Sequence, residues 1–410
     1  MNRFLFYSVA VVVLTTTAFA GGPPYSRFGI GDILYFGSNR SYTMNVMGVA
    51  LTEDGYINVY NPAALSRLSF TRFAGGFEYR SSYLEDGGGS QRFATGGFQS
   101  LAIAIPASTS NGIVLFAGAT PTSTVNYDIT IPDVIAGNPV TQNISGTGGL
   151  STLSLGASYR PSADLALGLT YTYHYGTIQQ RLVLDFDDGS FSDNELRKSF
   201  FHSGSSFTVG MTYDGISTLL GSPSLKPVTL GIVLTTPASL SVKEERLLFT
   251  QNAADTALVR RGSTTLPLSW TAGMAYTGEQ VIVAADLVMQ HWGSANFFEP
   301  SSVGIRNSLR AGIGIELPGR KDPVTYWDRL AYRAGFAYTA SYIAVNGQPV
   351  NGWSVSGGLA LPIGPDARMN LGLQFGSRGT IANGLSKDNF IRVSVSVDAG
   401  EAWFISIEDD

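Results

Sequence analysis

The sequence contains no cysteine and only three histidines, His174, His202 and His291, spread far apart. That excludes a disulfide scaffold, a thiol nucleophile, a zinc–thiolate site and lipid attachment at cysteine, and it leaves no histidine cluster for a metal. Charge is scarce too: Lys, Arg, Asp and Glu make up 14% of the residues, against about 25% in a typical soluble domain. Their balance of −5 argues against nucleic acid as a partner. Past the N-terminus no apolar run approaches the roughly 20 residues of a membrane-spanning helix, so a helical membrane protein is excluded. No serine, histidine and carboxylate set is apparent, and Gly146-Thr-Gly-Gly149 has no following helix to cradle a phosphate. The chain is therefore read as a non-enzyme without cofactor or metal.

What is abundant is glycine (48), phenylalanine (23) and tyrosine (19). Residues 1–20 read as a signal peptide: Arg3, then the apolar run Phe4 to Leu14, then Ala18-Phe19-Ala20 as a cleavage site. Export, low charge, many aromatics and no spanning helix point to a transmembrane β-barrel in the outer membrane of a Gram-negative bacterium, in contact with its lipids.

Period-two alternation carries the fold. In 164–176, Leu165, Leu167, Leu169, Tyr171, Tyr173 and Tyr175 share one face, and Ala166, Gly168, Thr170, Thr172 and His174 the other. The pattern returns in 266–277, 368–376 and 391–398. Strands are expected at 69–81, 93–106, 112–122, 149–161, 164–176, 204–214, 227–237, 266–277, 280–292, 305–318, 330–342, 352–363, 366–379 and 388–398. That makes an all-β, antiparallel barrel of about 14 strands. Connections mostly alternate long (123–148, 177–203, 238–265) and short (162–163, 278–279, 364–365), the habit of outer-membrane barrels with surface loops and periplasmic turns. This alternation places the mature N-terminus in the periplasm.

Residues 21–68 lack the strand pattern. They form either a periplasmic tail or a hatch folded into the barrel, which itself spans 69–410. Tyr35, Phe36, Met44, Val46, Met47, Val49, Ile57, Val59 and Tyr60 favour burial, since a tail should be poor in apolar residues.

The stretch 48–65, ending in Asn61-Pro62-Ala63-Ala64-Leu65, resembles the hatch signature of the FadL-type long-chain fatty acid and hydrocarbon transporters. Leu230-Gly231-Ile232 with Thr236-Pro237-Ala238, Gly273-Met274-Ala275-Tyr276, Asp286 followed by His291-Trp292, and 333–338 resemble pieces of the same family in the same order. Ala64 stands where the family often has glycine, and the chain ends in Ile407-Glu-Asp-Asp410, so Trp403-Phe404 would supply the terminal aromatic signal. The resemblance implies a 14-stranded barrel with an N-terminal hatch. It also implies a kink in the third strand, near Gly118 and Pro121, that opens the wall sideways; a simple strand end is the competing reading of Pro121.

Parity directs Arg72, Glu78, Arg80, Asp286, Arg310, Glu316, Arg333 and Arg392 into the lumen, away from Phe73, Phe77 and Tyr79 on the lipid face. There they either hold the hatch and a ligand carboxylate or form a solvated lining. Asn61-Pro62-Ala63 reads equally as hatch motif and as a turn into the first strand. The expected function is uptake of hydrophobic small molecules such as long-chain fatty acids, entering among loops 123–148 and 177–203 and gated by the hatch. The alternative is a structural or secretion-associated barrel that docks partner proteins. A general diffusion porin ranks below both.

Overall fold

The computed structural model describes residue 22 and residues 24–403, except 53, 136, 187–193, 251–252 and 321. The expected signal peptide and the terminal Phe404 and Ile407–Asp410 lie outside the described residues.

Fourteen antiparallel strands close into a barrel. They are β1 (Thr71–Asp86), β2 (Gly89–Ser108), β3 (Ile113–Pro121, continued by Ser123–Ile135), β4 (Asn138–Tyr159), β5 (Leu165–Phe186), β6 (Asn194–Tyr213) and β7 (Val228–Thr235, continued by Ala238–Thr250). There follow β8 (Ala253–Leu266, continued by Ser269–Thr277), β9 (Ile282–Gln290), β10 (Ser308–Leu317), β11 (Ala331–Ala340), β12 (Gly352–Pro362), β13 (Ala367–Gly379) and β14 (Lys387–Glu401). Closure runs along β1 and β14 from Thr71↔Glu401 to Glu85↔Lys387.

Alternation explains the wall. Leu169 is 53% exposed and Thr170 beside it only 3%: the apolar face meets lipid, and the small polar face points inward. Phe73, Phe77 and Tyr79 are exposed on the outside, and Phe73 packs edge-on against Trp403 at 5.4 Å.

The described residues of segments 123–148, 177–203 and 238–265, expected as loops, are instead continuations of the strands. β4 and β5 stay in register from Tyr159↔Leu167 up to Val140↔Phe186. Above the membrane both faces meet water, so the apolar alternation lapses at pairs such as Arg181↔Arg197 while the backbone ladder goes on. His202, expected in a loop, therefore sits in β6.

The position of the first residues also differs from expectation. Tyr25 bonds Ser386, in the β13–β14 connection at the long-hairpin end. Asp54 lies at the opposite end, beside Ser69 and Arg72. Residues 24–68 thus run down the whole lumen instead of rising from the periplasmic mouth. Loop alternation gives the orientation of strands but carries no information on a segment threaded between them.

Candidate functional site

Residues 24–68 bury their apolar side chains against the inner wall; Met44, Val49 and Leu65 are fully buried. At the long-hairpin end, Tyr25, Phe28 and Ile30 join Leu240, Trp292, Tyr342 and Leu385 in one cluster. The Tyr342 hydroxyl donates to the Gly31 carbonyl at 2.7 Å. Asp32 and Ile33 then pair as a short strand with Thr124 and Ser123 of β3. A one-turn helix, Asn39–Thr43, follows; Ser38 and Ser41 exchange side-chain-to-backbone hydrogen bonds at its start. Further down, Asn58 donates to the Met47 and Gly48 carbonyls, and Asn61 to the Val49 carbonyl at 2.6 Å. The Asn61 carboxamide oxygen also accepts from the Ala63 amide and caps the turn Pro62–Arg67. Asn61-Pro62-Ala63 is therefore buried at the wall, Asn61 tying two stretches of the segment together.

Most of the inward charges named by parity touch this segment. Arg72 lies 3.4 Å from Asp54, and Glu78 accepts from the Tyr42 hydroxyl. Asp286 accepts from the Gly48 amide at 2.6 Å, and Arg310 donates to the carbonyl and side chain of Asn45. Glu316 accepts from both Arg40 (2.8 Å) and Arg333 (2.6 Å), and Arg333 further reaches Tyr56, Thr43 and Asn370. Arg392 donates to Gln374 and faces the Tyr42 hydroxyl, whereas Arg80 pairs with Asp388 of β14 at 2.5 Å. Buried charges are retained only when paired in this way, because each guanidinium or carboxylate loses its water.

Parity reading missed partners of equal weight. Arg378 of β13 grips Asp32 with two bonds, 2.6 and 2.8 Å, and also bonds Asp388. Burial opposes ionisation of Asp32, but Arg378, with Arg80 and Arg392 nearby, outweighs it and holds the carboxyl below its ordinary range. Asp398 accepts from Asn39 and Asn370. Glycine was the other missed signal. A methyl group at Gly335 or Gly314 would overlap the Met44 carbonyl, at Gly231 the Val49 carbonyl, and at Gly210 the Asn61 side chain. The wall is pared to glycine along the track where the segment lies against it.

The third strand breaks at Thr122. Below the break, β3 pairs with both β2 (up to Leu101↔Ala119) and β4. Above it, β3 pairs with β4 and with Asp32–Ile33, and among the described residues no strand pairs with that edge of β2 over 89–100. Pro121 brings no amide donor to the ladder. Opposite it, Gly148 and Gly149 of β4 have φ of 109° and 141°, and a methyl group at Gly149 would overlap the Ser123 carbonyl. Gly118 lies below, facing Val59 of the N-terminal segment. A cavity of about 460 Å³ fills the gap between the separated edges, lined by Gly96, Gly97 and Phe98 on one side and Ser123, Thr124 and Asn126 on the other.

Two more cavities flank the N-terminal segment, which presents Ile33 and Tyr35 to both. One, of about 140 Å³, is lined by Arg80, Arg310, Arg378 and Arg392 with Asp32. The other, of about 190 Å³, has no charged residue in its lining and shares Leu34 and Pro121 with the gap.

A family model, BamG, matches residues 1–408. The chain belongs to the BamG family. No curated protein matches it. Among solved structures, the CymD monoaromatic hydrocarbon channel is 15% identical with a TM-score of 0.57, over 92% of this chain and 100% of that one. A Pseudomonas aeruginosa FadL homologue is 11% identical with a TM-score of 0.60, over 90% and 99%. The Pseudomonas putida toluene transporter TodX is 16% identical with a TM-score of 0.54, over 84% and 92%. This BamG chain therefore has the FadL-type fold, an outer-membrane barrel whose solved neighbours are channels and not enzymes.

Proposed function

We propose that this barrel takes up hydrophobic small molecules, after export directed by residues 1–20. Residues 21–68 act as the hatch that gates passage. The break in β3 carries the reading: it leaves a gap in the wall that adjoins an uncharged cavity beside the N-terminal segment. A ligand enters over the apolar inner surface of the raised hairpins, where Val125, Tyr127, Ile178, Phe200 and Val242 cluster, and reaches that cavity. Movement of the hatch then releases it sideways or into the periplasm. Saturable binding of radiolabelled fatty acids or hydrocarbons by the purified barrel tests this; no saturable binding across chain lengths would sink it.

A second reading is favoured by how firmly the segment is pinned, from Asp32–Arg378 at one end to Arg67–Asp214 at the other. A barrel closed in this way, in the BamG family, serves as a structural or secretion-associated component that docks a partner protein. Recovery of a stable stoichiometric partner with the native protein would support it over uptake.

A further inference from the structure

We propose that the uncharged cavity selects neutral, ring-sized hydrophobes carrying a hydroxyl or carbonyl group, and rejects carboxylates. This inference rests on the uptake reading and names its substrate class.

The cavity has two unlike walls. The N-terminal segment contributes Ile33, Leu34, Met47 and Val59. The facing strands β4, β5 and β6 contribute hydroxyls and an imidazole, including Thr152, Thr170, His174 and Ser206. His174 is 8% exposed; its Nε2 lies 2.8 Å from Ser206 Oγ, and its Nδ1 has no hydrogen-bond partner among the described residues. Thr170, 3% exposed, likewise leaves its Oγ1 without one. Buried polar atoms are seldom left unmatched, and a ligand hydroxyl or carbonyl would supply the missing bond.

Charge decides against acids. Among the described residues no Lys, Arg, Asp or Glu lines this cavity, and a carboxylate desolvated without a cation pays a large solvation penalty. The arginines face the other cavity, across Ile33 and Tyr35, and two of them, Arg80 and Arg392, also line the gap; Arg378 and Arg80 are already occupied by Asp32 and Asp388. Size decides against long chains lying wholly inside: about 190 Å³ is close to the ~150 Å³ cavity that accepts one benzene.

The test uses the full barrel in detergent at pH 7 and four probes: p-cresol, toluene, benzoate and laurate, each measured by calorimetry. The phenol stays uncharged there, since phenolic groups ionise near pH 10. p-Cresol should bind tightest, toluene about tenfold more weakly for want of one hydrogen bond, and benzoate at least about a hundredfold more weakly. His174→Phe should close the difference between the two probes, bringing p-cresol down to the level of toluene. Thr170→Val, a smaller change to the wall, should shift p-cresol the same way and covers the case in which His174→Phe does not fold. Benzoate binding as tightly as p-cresol, or toluene equal to p-cresol, overturns the proposal. Laurate binding alone overturns it and leaves uptake standing; saturable binding of none of the four removes both.

Discussion

Replacing Glu316 by glutamine takes away the carboxylate that two buried guanidiniums share. Arg40 and Arg333 are 1% and 0% exposed in their side chains and Glu316 is 5% exposed, so water cannot substitute for the lost charge. Removing one partner of a buried ion pair costs about 3–5 kcal/mol, equivalent to roughly two to four decades in an equilibrium. Glu316 and Arg333 face each other across β10 and β11, whose backbone ladder the substitution leaves intact. Arg40 belongs to the N-terminal segment, so the cost should fall on the seating of that segment and not on barrel closure. In Glu316→Gln, residues 24–68 should exchange amide protons and admit protease about a hundredfold or more faster, while the heat-sensitive gel mobility of the folded barrel persists. Glu245→Gln is the control: its pair with Lys243 is 34% and 44% exposed and worth about 0.2–1 kcal/mol. Unchanged protection of residues 24–68 in Glu316→Gln would refute the argument, and would mean that apolar burial of Met44 and Leu65 seats the segment without help from charge.

Gly335→Ala should weaken the same seating by about 1–3 kcal/mol, because its methyl group collides with the Met44 carbonyl; Gly97→Ala, with open space around it, should be silent in the same proteolysis assay. Asn61→Ala strands the Val49 carbonyl and uncaps a turn, for a loss of about 1–3 kcal/mol in thermal unfolding. Asp32 has a carboxyl held below its unfolded value near 3.9, so its contribution is complete above that pH and disappears as pH falls through the lower folded value. Protection of residues 24–33 against hydrogen exchange, relative to the intrinsic rate at each pH, should therefore fall in acid below pH ~4, and Asp32→Asn should show the low protection at neutral pH as well.

Parity along a strand made the inward charges legible from sequence, because side chains alternate strictly between two faces. The same rule carried further would have found Arg378, in step with Asn370 and Gln374, and Asp388 and Asp398, in step with Arg392. Polarity marks only the lower part of each long strand, since its alternation stops where the membrane does. Glu244 shows this: it lies fully buried beside Arg246 and Arg260, in a stretch whose composition looks like a loop. The glycine track could not be read at all, since whether a missing side chain makes room for a neighbour depends on contacts more than 100 residues apart. In the sequence Gly148 and Gly149 resemble no more than a poor phosphate loop, while the structure uses their backbone freedom to let β3 turn away from β2.

The threading of residues 24–68 also sets an order of events in making the molecule. Asp32 finds its partner 346 residues later and Arg40 finds its own 276 residues later. The part of the described chain that emerges first is thus the part whose contacts are completed last. Contacts this distant in sequence form slowly, and a hydrogen-bonded cylinder offers no easy way in once β14 has met β1. The leading segment has to wait inside a half-curled sheet until the final strand arrives, so anything that closes the cylinder early would leave it empty.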